Sequence, residues 1–517
     1  MTATAHAISL TGIQGVPVRV EAQVGAGLVS TTIVGLADTA LRESKERLRS
    51  ALLSCQIPSL NRRLTINLSP ASLPKTGSGF DLPIAAAVLV ARGQLHPEAL
   101  TDTVFAAELG LDGSLRAVTG VLAQAWAAKE RGYARIVVAD NDYAEASQIE
   151  GIEVIGCKNL RQLIAAFPLE ESGRFRAGWE VLRTPIPARA SMSGATGEPG
   201  MDLVEVRGQP QARRAALLAA VGAHHLLLHG SPGSGKTMLA ERIGTVLPPL
   251  SARDAMVLAA MRSAASMSQE HSAQTQPPVH VLSPTTTVTA LVGGGQRQVR
   301  PGLVSLAHGG ILVMNEAPEF APRVLDALRG PLDTGEVVLR RAAGEVSFPA
   351  QFQLVLTAND CPCGKSGEEG GCTCTPMQRR RYQRRLSGPL LDRIDIQLAL
   401  QQPTLAQIQE DEPLDSAAAA NMVEEARART LHRWRADGWE TNSAVPGRVL
   451  RSMPGLPEGF TSVLERNISQ GWLSLRGADR ILRLGWSAAD LAGHDSPNMD
   501  DLKWALDLRT AAAWGTP

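Results

Sequence analysis

The stretch GSPGSGKT, residues 230–237, limits what this chain can fold into more than any other part of it. Gly230, Gly235, Lys236 and Thr237 satisfy the spacing G-x-x-x-x-G-K-[ST], with Ser231, Pro232, Gly233 and Ser234 between them. The apolar run HHLLLH before it reads as a buried strand, and TMLAERIGTVL after it reads as a helix. That setting turns backbone N–H groups toward phosphates and adds the positive end of a helix. Lys236 is then placed for the β- and γ-phosphates and Thr237 for Mg²⁺. An α/β domain with a parallel sheet, binding ATP and Mg²⁺, is expected around it.

Two further apolar runs end in polar residues. ILVM at 311–314 reads as a buried strand ending in Asn315 and Glu316. An acid normally closes such a strand and holds Mg²⁺, and a following Glu can activate the attacking water. Glu316 has the place of that base. Asn315 can accept a hydrogen bond from metal-bound water but brings no charge, so weaker Mg²⁺ binding and slower hydrolysis are expected. FQLVLTAND gives another strand, ending in Asn359, a residue suited to sensing the γ-phosphate.

The chain has 517 residues, which is too long for one core, so several domains are expected. Residues 1–168 alternate strand and helix patterns and form one α/β unit. Residues 169–200 are rich in Pro, Gly, Ser and Ala and read as a linker. The phosphate loop lies in a second α/β unit, 201–405, and residues 406–517 have helical spacing and close the chain as a small helical lid. Lys+Arg and Asp+Glu both number 51, so net charge gives no sign of nucleic acid and local patches must decide. No run is long and apolar enough to predict a membrane span, and the first residues do not read as a signal peptide. With six cysteines and no such signal, a reducing cytoplasm is expected.

Four of the cysteines, Cys361, Cys363, Cys372 and Cys374, form CxC-x8-CxC within a glycine-rich loop, 361–374. Four thiolates so close could enclose a tetrahedral Zn²⁺; free thiols or a redox disulfide stay open. Cys55 and Cys157 read as buried core residues. Arg379, Arg380, Arg381, Arg384 and Arg385 surround Tyr382 in the strongest basic cluster. It could line a DNA path, lie between subunits, or form a solvated helix face.

Taken together, these residues resemble an AAA+ ATPase of the magnesium-chelatase-related group and, more narrowly, the ComM/YifB family. Stretches that carry the resemblance run from TIVGLADTALRESKERLRSAL and INLSPASLPKTGSGFDLPIA through PGLVSLAHGGILVMNEAPEF and SGPLLDRIDIQL to LSLRGADRILRLGWSAADL. The resemblance implies a hexameric ring with ATP between subunits. It makes Arg393 the arginine finger and Arg476 the sensor arginine of the helical lid, with Arg480 as the lesser candidate. It also implies a helicase-like motor that drives branch migration of branched or single-stranded DNA during natural transformation. The segment LDTGEVVLRR is similar to a pore hairpin whose base carries Arg340 and Arg341. Other readings are a weakly hydrolysing, nucleotide-dependent scaffold and the motor subunit of a metal chelatase.

The chain departs from the family pattern at Asn315, where the family has Asp, and at Thr285 and Thr286, where it carries adjacent histidines. Residues 1–168 resemble the Lon-protease-like domain. Gly79 falls at the nucleophile position and Leu122 at that of the lysine base, so peptide hydrolysis is not expected.

Overall fold

The computed structural model describes residues 2–35, 39–58, 62–71, 75, 77–169, 179, 182, 201–265, 274–295, 299–341, 344–365, 371–457, 459–471, 473–510 and 514. The N-terminal sheet has seven strands: β1 (Thr2–Thr11), β2 (Gln14–Gly25), β3 (Ser30–Val34), β4 (Arg63–Ser69), β5 (Thr103–Ala106), β6 (Arg135–Ala139) and β7 (Glu153–Cys157). Their order is β3-β4-β2-β1-β5-β6-β7. β1, β2 and β4 pair antiparallel, and the rest pair parallel. The antiparallel part alternates: Val18, Val20 and Ala22 are buried between more exposed neighbours. The parallel strands β5 and β6 are buried on both faces, with the apolar runs Val104–Ala106 and Ile136–Ala139, whereas β3 at the sheet edge is largely exposed.

Most of the expected linker, 169–200, lies outside the described residues. Two members of it, Trp179 and Leu182, are buried in the N-terminal core. Trp179 meets the Phe167 ring edge-on, with centroids 4.5 Å apart, and the Arg135 guanidinium lies 5.1 Å from its ring centre. These two large apolar residues pack into a core although the composition around them reads as loose.

The second sheet has five strands: β8 (Leu226–Gly230), β9 (Val279–Leu282), β10 (Ile311–Met314), β11 (Gln353–Ala358) and β12 (Ile396–Leu400). The order is β9-β10-β11-β8-β12 and every pairing is parallel. All five strands therefore end at the same edge, where such sheets bind ligands. Successive residues pack on opposite faces, so Leu226 and Leu228 join one core and Leu227 another.

The C-terminal helices include Ser416–Trp434, Leu475–Ala492 and Met499–Thr510. They share a core with one face of the second sheet, through Val423, Ile481 and Leu502 among others. Two buried ion pairs join this region to what precedes it. Arg213 grips Asp411 with a two-pronged guanidinium contact of 2.6 and 2.7 Å. Arg480 pairs with Asp395, just ahead of β12, and also donates to the Arg393 carbonyl at 3.1 Å.

The N-terminal unit sits on the second one. Helix Val121–Glu130 packs against helix Ala252–Ala264, and Ile8 and Ile13 share their core with Phe348. Phe348 belongs to a hairpin of Glu336–Arg341 and Gly344–Pro349. A side chain at Gly12 would come within 3.0 Å of the Ser347 carbonyl and the Val346 methyl, and its φ of +67° also favours glycine. The predicted hairpin thus begins later than the sequence reading placed it: Arg329–Thr334 is helical, and only Glu336 onward is strand. Arg341 pairs with Gly344, so Arg340 and Arg341 lie at the turn end of the hairpin, not at its base. Arg340 pairs with Glu345 at 2.8 Å.

Candidate nucleotide site

The loop after β8 turns sharply. Gly230, Gly233 and Gly235 have φ of 143°, 76° and 87°, in the region that favours glycine. A side chain at Gly230 would also strike the Leu400 carbonyl, 2.0 Å away. Helix Lys236–Arg242 starts directly behind. The Lys236 ammonium donates to the carbonyls of Gly230 (3.0 Å) and Ser231 (2.7 Å). Burial lowers its pKa, while the charges of Asp360 and then Glu316 act the other way. Thr237 is exposed at the mouth of the loop, whereas Ser234 is buried beneath it.

Strand register brings the other residues to the same edge. Met314 stands opposite Leu356, and His229 opposite Ala358, so the chain leaving β10 and the chain leaving β11 both emerge beside the loop. Asn315 is half-buried, and its side-chain oxygen accepts from the Thr357 hydroxyl at 3.3 Å. That hydroxyl also receives the Glu316 amide, at 3.1 Å. Glu316 is exposed and holds φ 56°, ψ 47°, a left-handed conformation uncommon outside glycine. Strained backbone of this kind collects at functional positions. Asn359 is half-buried, with the buried Tyr382 hydroxyl facing its backbone; burial pushes that phenol up to about 12.

Two residues at this edge were not singled out in the sequence. Asp360 follows Asn359, and its carboxylate lies 2.8 Å from His229 Nδ1. Asp360 was legible as the residue after a sensor position. His229 was hidden because the run HHLLLH served only to mark a strand.

The four thiols stand beside the loop. Their sulfurs all lie within 4.8 Å of one another, with pairs at 3.3, 3.7 and 3.7 Å. Zn–S bonds of about 2.3 Å in a tetrahedron put sulfurs about 3.8 Å apart, so the set fits that ion. The Lys365 amide and the neighbouring thiols bring Cys363 down to about 6, while hydrogen bonding to Cys363 takes Cys374 up to about 11. A side chain at Gly364 would lie 3.0 Å from Pro232, so this loop touches the phosphate loop. Of the other cysteines, Cys157 is buried as expected, but Cys55 is only half-buried, because it follows the last turn of its helix.

The arginines part company. The Arg393 guanidinium grips Asp333, with Nε at 2.8 Å, and donates to the Pro389 carbonyl at 2.6 Å. Arg476 is exposed in the first turn of helix Leu475–Ala492, and its charge also reaches Asp333. Arg480 is held in its pair with buried Asp395. Burial opposes that carboxylate's charge, but Arg480, His224 and His225 hold it well below the usual range.

Helix Pro376–Gln383 opens with a capping box at Thr375 and Gln378. It borders an open groove of about 750 Å³ together with Arg329, Arg384, Arg385 and Asp326. Arg385 pairs with Glu319 at 2.7 Å. Arg380, Arg381 and Arg384 are exposed and have no acidic partner among the described residues.

In the N-terminal unit, Gly79 lies in a short turn and Leu122 is fully buried. Ser78 donates to Glu108, and the Lys75 ammonium to the Pro70 carbonyl. Thr285 and Thr286 lie between β9 and helix Val288–Val292, with the Thr285 hydroxyl 2.7 Å from that of Ser283.

Comparison with known proteins gives a consistent picture. The family described as magnesium chelatase, subunit ChlI, matches residues 202–408. Subunit ChlI of Mg-chelatase matches 20–142, and the ChlI C-terminal family matches 413–509. An uncharacterised protein of Mycobacterium tuberculosis is 40% identical over 510 residues, covering 98% of this chain and 99% of that one. YifB of Escherichia coli is 35% identical over 507 residues, 98% of this chain and 96% of YifB. Competence protein ComM of Haemophilus influenzae is 35% identical over 502 residues, 96% and 95% of the two chains. No helix among the described residues is long and apolar enough to cross a membrane.

Proposed function

Because the chain belongs to the magnesium chelatase ChlI-like family of AAA ATPases, together with YifB and competence protein ComM, we propose that it is a ring-forming ATPase that hydrolyses ATP at the phosphate loop and uses the turnover to move along DNA. One observation carries this reading. The described residues 359–365 and 371–385 carry, in chain order, the sensor position beside the phosphate loop, the four thiols and arginines of the groove. Buried Tyr382 ties the second segment back to Asn359 in the first. A polyanion held in the groove and a nucleotide held at the loop therefore act on the same pair of segments.

The donor set fits ATP and Mg²⁺. The loop amides and Lys236 would hold the phosphates. Thr237 and the side-chain oxygen of Asn315 would hold Mg²⁺, which when bound screens the phosphate charge. Glu316 takes the proton of the attacking water as its oxygen joins the γ-phosphorus and the bond to ADP breaks. In a hexamer, Arg393 would exchange Asp333 for the neighbouring subunit's γ-phosphate, with Arg476 approaching from the lid. The reading extends to branch migration in recombination during natural transformation. Asn315 favours a second reading, a slowly hydrolysing assembly protein whose ring forms on ATP, because it brings no charge to the metal.

ATP turnover with and without branched and single-stranded DNA separates the two. DNA is expected to raise turnover about fivefold or more. Replacing Arg380, Arg381 and Arg384 by Ala should weaken DNA binding about tenfold and flatten its salt dependence by about one phosphate per arginine. If duplex, single-stranded and branched DNA all fail to bind at low salt, the motor reading falls and the assembly reading stands.

The four thiols form a structural zinc site in this reading. Purified protein should hold about one zinc ion per chain, measured by elemental analysis, and Cys363→Ser with Cys372→Ser should release it. Zinc-free protein whose Cys361, Cys363, Cys372 and Cys374 all react as free thiols would return the cluster to free cysteines.

A further inference from the structure

We propose that Asp360, oriented by His229, supplies toward the Mg²⁺ of bound ATP the negative charge that Asn315 does not. The inference rests on the reading of the loop as an ATP site and adds a residue to it. Phosphate-loop ATPases commonly hold Mg²⁺ between the loop hydroxyl and an acid at a strand end. Here β10 ends in a neutral amide, Asn315. The neighbouring strand β11 lies between β10 and β8 and ends two residues before Asp360. By register, His229 faces Ala358, so Asp360 emerges between the loop that follows β8 and the Asn315–Glu316 corner. Asp360 and Glu316 are the two carboxylates whose charge reaches Lys236, and Asp360 acts more strongly.

His229 is built to aim this carboxylate. Its side chain is only 12% exposed, its ring meets Trp514 edge-on with centroids 5.5 Å apart, and its Nδ1 lies 2.8 Å from Asp360 Oδ1. A carboxylate offers roughly four lone-pair positions, so it can serve His229 and a metal-bound water together. Mg²⁺ keeps several of its waters, so a carboxylate one water away still adds to its binding.

The test measures nucleotide affinity rather than turnover. A fluorescent ATP analogue is titrated into the full chain in EDTA and again in millimolar Mg²⁺. Wild type should bind more tightly with Mg²⁺. Asp360→Asn should reduce that Mg²⁺-dependent gain about tenfold while changing the EDTA affinity less than about twofold, and adding Asn315→Asp should restore most of it. His229→Gln, which loosens the carboxylate without removing it, should give a smaller loss of the same gain. A full Mg²⁺ gain in Asp360→Asn overturns the inference while leaving the ATP reading intact. An equal loss with and without Mg²⁺, not restored by Asn315→Asp, overturns it as well, since that marks a disturbed loop. Wild type that ignores the analogue in both conditions removes the ATP reading itself.

Discussion

Glu316→Gln is expected to lower ATP turnover by roughly 10²–10³-fold while leaving ATP binding within about twofold, because a positioned general base contributes about that much and binding does not use it. The expectation follows from how Glu316 is held. Its amide is tied to the Thr357 hydroxyl, its backbone occupies a left-handed conformation at the end of β10, and its side chain is exposed. Glutamine keeps the shape and removes the base. Pre-steady-state phosphate release, with ATP affinity measured beside it, separates the two effects. A variant that turns over like wild type would show that some other group handles the water's proton. Asn315 does not weaken this test, since a slower reference still leaves a wide window once trapped, bound ATP is followed.

Arg480→Ala should destabilise the part of the chain built on the second sheet by about 3 kcal/mol, because it leaves the buried Asp395 carboxylate without its main partner. Asp395 is fully enclosed, with a side chain only 3% exposed; beside Arg480 it has the His225 amide at 2.9 Å, His224 at 3.7 Å and the more distant charges of Arg483 and Arg509. Arg480 also donates to the Arg393 carbonyl, so its loss loosens the lid helix from the turn ahead of β12 that carries the proposed arginine finger. Denaturant unfolding, read by a tryptophan in that region, gives the magnitude. Arg480→Ala combined with Asp395→Asn should recover a good part of the loss, since no charge is then stranded. A cost below about 1 kcal/mol would mean that water reaches the carboxylate and the pair is no clamp.

These two residues show how differently the sequence informed the site. Glu316 was readable because it ends an apolar run at a fixed distance from a phosphate loop. Arg480 and Arg476 lie four residues apart on one helix, and nothing in their spacing says which one faces inward. The fold turns Arg480 onto Asp395 and leaves Arg476 exposed. Likewise Trp179 and Leu182 look like parts of a linker until Phe167 and the N-terminal core are seen beneath them. Arg340 and Arg341 moved from the base of a hairpin to its turn, because strand pairing starts only at Glu336.

By itself the sequence determined the phosphate loop, the strands that end beside it, the α/β class and the helical close of the chain. Those features are local: they depend on glycines, on one lysine, and on apolar residues recurring at periods of two or near four. Only the tertiary structure decided which charges meet. Asp360 and His229 sit 131 residues apart in sequence, and Arg480 and Asp395 85 apart. Contacts over such separations are set by strand order and register, which bring distant segments side by side at one edge of a sheet and which no short window of sequence contains.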